Sequence, residues 1–167
     1  MQSGKNRENH TRENVDEIDL RILDALQRNP PLSTAELADK VGLSQSPCWR
    51  RLSQLKDAGY VRDQVTRLDA KKLGFGLTIF ASVKLSAHGK ANLHEFSDAI
   101  SRFPEVLEAY AIMGPFDFLL RIIARDIEGY RQFVDGKLST LPTVKEINST
   151  IAMAEIKATT ALPIRQR

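Results

Sequence analysis

The apolar positions of this chain follow two different periods, and the change falls near residue 73. Across residues 16–29, Ile18, Ile22, Leu23 and Leu26 recur at helical spacing, and Asn29-Pro30-Pro31 then stops the helix, because proline lacks an amide donor and blocks the preceding turn. Ser33, with Glu36 three positions on, has the spacing of a capping box. Leu37, Ala38 and Val41 follow as a short apolar stripe that ends at Gly42. Ser44 is placed to cap a third helix carrying Cys48, Leu52 and Leu55 on one side, with Ala58-Gly59 as its left-handed exit. Three helices are therefore predicted within residues 16–58.

Residues 60–68 are rich in β-formers and arginine and predict a short hairpin or extended arm, in the place of a wing. Residues 69–76, polar and then glycine-containing, read as a linker. Beyond it the pattern alternates: Leu77, Ile79, Ala81, Val83 and Leu85 against Thr78, Phe80, Ser82 and Lys84 predict a strand. Leu93, Phe96, Ile100 and Phe103 predict an amphipathic helix ending at Pro104. Strands over 106–113 and 118–125 flank Gly114-Pro115-Phe116-Asp117, a turn sequence, and should form an antiparallel hairpin. Tyr130, Phe133, Val134, Leu138 and Leu141 predict a second helix ending at Pro142, and 144–157 a last strand.

The order β-α-β-β-α-β is two copies of one unit, since Phe103-Pro104-Glu105-Val106-Leu107-Glu108 is echoed by Leu141-Pro142-Thr143-Val144-Lys145-Glu146. The expected fold class is α+β. A tail over 1–14 precedes a winged helix-turn-helix over 15–68, the linker spans 69–76, and a ferredoxin-like domain fills 77–162. A sheet with both helices on one face leaves the other carrying Phe80 and Tyr110. A second copy of the same sheet is the simplest cover, so a homodimer is expected.

Composition narrows the function. With 42% hydrophobic and 27% charged residues the chain has the balance of a soluble globular protein. Its polar start and lack of a spanning apolar run predict a cytoplasmic protein without a membrane partner. One cysteine excludes an intrachain disulfide and a multi-cysteine metal site. His10, His88 and His94 are scattered, Cys48 has no evident base partner, and Gly74-Phe75-Gly76 lacks the third glycine of a nucleotide fingerprint. No metal, cofactor or enzymatic activity is expected.

The net charge of +3 is small, but it is segregated: residues 1–43 hold six Lys/Arg against eight Asp/Glu, and residues 44–72 hold seven against three. That basic stretch coincides with the third helix, where at about 100° per residue Ser46, Arg50 and Ser53 lie opposite Cys48, Leu52 and Leu55. Arginine suits bidentate contact with guanine or phosphate, and serine hydroxyls donate to phosphate or bases. An ordinary charged surface helix has the same pattern. The local charge, and small Ala38 and Gly42 four apart where two helices cross, favour DNA.

The stretch 16–60, with Asp19-Leu20-Arg21-Ile22-Leu23 and Leu43-Ser44-Gln45-Ser46-Pro47-Cys48-Trp49-Arg50-Arg51-Leu52, resembles the Lrp/AsnC family of transcription regulators. Gly114-Pro115-Phe116-Asp117 is similar to that family's Gly-x-x-Asp turn, so the resemblance runs over about residues 15–160. It implies double-stranded DNA and a small amino-acid effector as partners, and dimers that assemble into octamers. The implied DNA contacts are Ser44, Gln45, Ser46, Pro47, Trp49, Arg50, Arg51, Ser53 and Gln54. The implied effector residues, in a site between dimers, are Met113, Gly114, Asp117, Ser149 and Thr150. Pro115 departs from the polar residue usual in this turn. Two alternatives stay open: an effector-independent architectural DNA binder, and a metabolite-binding subunit that never touches DNA.

Overall fold

The computed structural model describes residues 15–28, 32–63, 65–87 and 89–164. They form two compact units: one ends at Thr66 and is rejoined by the chain from Lys157 onward, and the other runs from Arg67 to Ile156. The first holds α1 (Glu17–Arg28), α2 (Thr34–Val41) and α3 (Gln45–Asp57). α1 starts on two aspartates that exchange backbone bonds: the Asp19 amide donates to Asp16 Oδ1 at 2.8 Å and the Asp16 amide to Asp19 Oδ2 at 3.2 Å. α2 carries the expected capping box, with the Ser33 amide donating to Glu36 Oε2 at 2.8 Å and the Glu36 amide to Ser33 Oγ. It ends at Gly42, whose φ of 71° only glycine adopts without strain. Ile22, Ala25, Leu37, Ala38, Val41, Cys48 and Leu55 close the core, which the predicted stripes anticipate.

The second unit holds β1 (Leu77–Leu85), α4 (Lys90–Ile100), β2 (Val106–Ala111), β3 (Phe118–Ala124), α5 (Ile127–Phe133) with a following π turn (Val134–Leu138), and β4 (Val144–Ile151). The strands lie in the order β2-β3-β1-β4, all antiparallel. Burial on β3 alternates strictly: Phe118, Leu120, Ile122 and Ala124 are buried, while Leu119, Arg121 and Ile123 are partly open. The buried set packs with Ile79, Ala81 and Val83 of β1 against Phe96, Ile100, Phe133 and Leu138. Helices thus cover one face. On the other, Phe80 and Tyr110 are 39% and 54% exposed. The repeat is visible in the backbone, because the Val106 amide donates to the Phe103 carbonyl and the Val144 amide to the Leu141 carbonyl, each at 3.0 Å.

Four expectations change. Over residues 60–68, none of the described residues pairs as strand, so among them the expected hairpin is not formed. β4 stops at Ile151, not Lys157: in this register β1, which begins at Leu77, could face nothing beyond residue 153, and the last bond runs from the Ala152 amide to the Thr78 carbonyl. The hairpin strands are shorter than predicted, ending at Ala111 and Ala124. The second helix of this unit widens into a π turn around Gly136, with the Ser139 amide donating to the Val134 carbonyl five residues back. The stretch beyond 157 joins the helical unit, where the Gln27 side-chain amide grips Leu162, donating to its carbonyl and accepting from its amide, both at 2.8 Å.

Candidate nucleic-acid interface and ligand turn

On α3 the core residues Cys48 and Leu55 point inward, and Gln45, Ser46, Trp49, Arg50 and Gln54 are exposed. Trp49 is 62% exposed, too open for a core tryptophan. Thr34, at the start of α2, lines one shallow depression together with Gln45, Ser46 and Trp49. Two helix starts therefore share a surface. The first turn of α3 has no acidic residue, and Ser44, although it occupies the N-cap position, makes no capping bond with its side chain. A helix N-terminus carries partial positive charge and amides that suit a phosphate. Thr34 was absent from the predicted contacts, and its only sequence signal was its place next to the Ser33 cap.

Not all predicted contacts fall on that surface. Pro47 and Ser53 are half-buried, and the Ser53 hydroxyl lies 3.5 Å from Asp57 Oδ2. Arg51 turns away from it: Nη1 donates to Asp16 Oδ2 at 2.6 Å and to Asp19 Oδ1 at 2.9 Å, the pair that caps α1. The Asp16 carboxyl is held below the usual carboxylate range, first by the Asp19 amide and then by Arg51. Sequence reasoning did not connect Arg51 with this pair, although Asp16 and Asp19 have capping-box spacing. Burial pushes the Cys48 thiol up, so it acts as a small core group and not as a reactive thiolate.

The predicted effector residues form two groups. Met113, Gly114 and Asp117 share the β2–β3 turn, where the Ile112 amide donates to the Asp117 carbonyl at 2.9 Å. Gly114 has a φ of 153°, which side-chain-bearing residues rarely adopt, and Met113 is fully exposed. Asp117 ties the turn to β1: its amide donates to the Val83 carbonyl, and its Oδ2 accepts from the Leu85 amide at 2.7 Å. Ser149 and Thr150 lie on β4, on the far side of β1 from β3, opposite Ala81 and Phe80. Successive strand residues face opposite ways. Ser149 turns to the helix side, where its hydroxyl is 2.5 Å from that of Tyr130, whereas Thr150 shares the open face with Phe80. A single chain does not gather all five. Among the described residues no cluster suited to hold a metal ion occurs, and no helix is long and apolar enough to cross a membrane.

The sequence matches the Lrp/AsnC ligand binding domain over residues 78–162 and a winged helix-turn-helix DNA-binding domain over residues 15–62. It is 37% identical over 150 residues to the transcriptional regulator AzlB of Bacillus subtilis, covering 90% of this chain and 96% of that one. It is 38% identical, with the same coverage, to the proline dehydrogenase transcriptional activator of Rhizobium radiobacter. Among solved structures, the complex of a Neisseria meningitidis transcriptional regulator with L-Met superposes with a TM-score of 0.85 at 37% identity, over 89% of this chain and 96% of that one. A helical unit that exposes an arginine-bearing α3, followed by a β-α-β-β-α-β unit with the glycine turn, places the chain in the Lrp/AsnC family of transcription regulators.

Proposed function

We propose that this regulator binds a pseudo-palindromic DNA site as a homodimer, through α3, and that an amino acid bound at the β2–β3 turn changes its affinity or assembly. The observation that carries the reading is the exposure of Ser46, Arg50 and Gln54 on a helix whose opposite side is locked into the core. In such a dimer two copies of α3 enter successive major grooves, about 34–36 Å apart. Arg50 is the base-reading group, while Ser44, Gln45, Ser46, Trp49 and Gln54 line the contact with groove and backbone.

The second unit supplies the partner and the sensor. Packing two open sheet faces together removes Phe80 and Tyr110 from water. Amides exposed at the Gly114 turn suit a carboxylate, and Asp117 or the hydroxyls of Ser149 and Thr150 suit an ammonium group. Because those residues lie in two groups, the site is completed by a neighbouring dimer, and octamers are the assembly in which it forms. The L-Met carried by the Neisseria structure makes an apolar amino acid the first effector to try. The chain acts in the cytoplasm and catalyses no reaction.

The test is enrichment of genomic fragments on the purified protein at near-physiological salt, followed by titration of amino acids against the best fragment. Enriched fragments that share a pseudo-palindrome, with affinity moved by one amino acid, support both halves. Retention without sequence preference would make it an architectural binder, and no retention would remove DNA from the function.

A further inference from the structure

We infer that Arg51 is a positioning residue: by clamping α3 onto the acidic cap of α1 it sets the direction in which Ser46, Arg50 and Gln54 leave the recognition helix. The inference rests on the DNA-binding reading above. It assigns a role to a cation that charge alone would have counted among the phosphate contacts.

The acceptors that Arg51 meets are already built. Asp16 and Asp19 hold each other through reciprocal backbone bonds, so the guanidinium docks on a fixed pair and fewer rotamers are lost in forming the contact. The helix dipole favours negative charge at this end of α1. Asp19 is 8% exposed and the Arg51 side chain 29%. For Arg51 to reach a phosphate it would have to release two charge-assisted bonds and leave a nearly buried carboxylate without its cation.

Geometry supplies the reason for a clamp at this position. Cys48, Leu52 and Leu55 anchor α3 along one stripe, and a fixed cation at its flank adds a second point of attachment off that line. Arg51 is offset from Arg50 by about 100°, so fixing its guanidinium fixes the roll. With a helix radius of about 6 Å including side chains, a roll of about 20° moves a side-chain tip by about 2 Å, enough to lose a hydrogen bond.

The experiment compares wild type, Arg51→Gln, Arg51→Lys, the double variant Asp16→Asn/Asp19→Asn and the triple combination of that pair with Arg51→Gln. Each is titrated across a salt series against two duplexes: the tightest-binding genomic fragment, and a scrambled one of equal length. All measurements are made where circular dichroism shows the variant folded. Arg51→Gln is expected to weaken binding to the genomic fragment by about tenfold or more, leave the scrambled duplex within about twofold, and leave the salt slope unchanged. Arg51→Lys should recover part of the loss. The carboxylate pair should lose specific affinity as Arg51→Gln does, and the triple combination should be no worse, because all remove one clamp. A salt slope shallower by about 0.9 in Arg51→Gln, the mark of a lost phosphate contact, overturns the proposal. So does tighter binding by the carboxylate variant, the result of removing negative charge beside DNA. Should Arg51→Gln not fold, Arg51→Lys and the carboxylate pair decide by the same criteria. A wild-type chain that binds both duplexes equally overturns the DNA-binding reading itself, before any variant is compared.

Discussion

In the helical unit, every stripe of apolar residues finds its cover within the same chain. Ile22, Leu37, Val41, Cys48 and Leu55 meet in one core, and what remains outside on α3 is polar apart from Trp49. The sheet unit is closed on one side only. Its inner face is sealed by Phe96, Ile100, Phe133 and Leu138, while its outer face holds Phe80, Tyr110 and the Arg121–Glu108 pair at 2.6 Å in the open. The first unit aims its functional groups by its own packing. The second leaves one apolar face uncovered, and under the proposed function both its cover and its ligand site come from another copy. On that reading, one chain combines a self-sufficient reader with an assembly-dependent sensor.

The largest effect should come from breaking that assembly. Phe80→Glu puts a charge at the centre of the open face and is expected to give monomers by light scattering. Binding to a two-half-site duplex should fall by about a hundredfold or more, because the two readers are no longer linked, while the fold by circular dichroism persists. A variant that stays dimeric would move the interface elsewhere. Arg50→Ala tests the reader alone. We expect a loss of about 1–3 kcal/mol in specific binding, read by fluorescence anisotropy, with the melting temperature unchanged.

Asp117 separates the sensor from its scaffold. Asp117→Ala removes the acceptor of the Leu85 amide and should cost about 1–3 kcal/mol of stability; it should abolish the effector response and leave DNA binding intact. Asp117→Asn keeps an acceptor oxygen, so it should retain more of the stability and still lose the response. An effector response that survives both would displace the pocket from this turn. Ser33→Ala, which opens the capping box of α2, should cost about 1 kcal/mol in chemical denaturation. The smallest effect is a pH dependence. Arg131, and then Gln132, hold the Glu128 carboxyl down to about 2. With the folded value depressed, the contribution is present above the ordinary glutamate value of about 4.3 and fades as pH falls toward 2. Glu128→Gln should flatten the acid limb of the melting profile only slightly, since water screens this exposed pair.

Much of this was legible from local pattern. The spacing of Ile22, Leu37, Cys48 and Leu55 predicts three helices, Ser33 with Glu36 predicts the cap, and the alternation over 77–85 predicts β1 and its buried face, because all of these depend on residues only a few positions apart. The prolines at 104 and 142 mark the repeat for the same reason. Element ends were less legible. β4 cannot extend far past the start of β1, and the second helix widens into a π turn at Gly136, and neither limit is written in the strand or helix itself.

Side-chain partnership across the chain was decided by the tertiary structure. Arg50 and Arg51 are adjacent and identical in type, yet one is exposed and the other is bound to Asp16 and Asp19, 35 and 32 positions away. Ser149 and Thr150 are neighbours that face opposite sides of the sheet, and Asp117 holds an amide on β1 as well as lying in its turn. Periodicity tells which way a residue points within its own element. What it meets there depends on how distant elements pack, and so the chain alone determined the fold and the kind of function, while the division of labour among its polar residues came only with the folded arrangement.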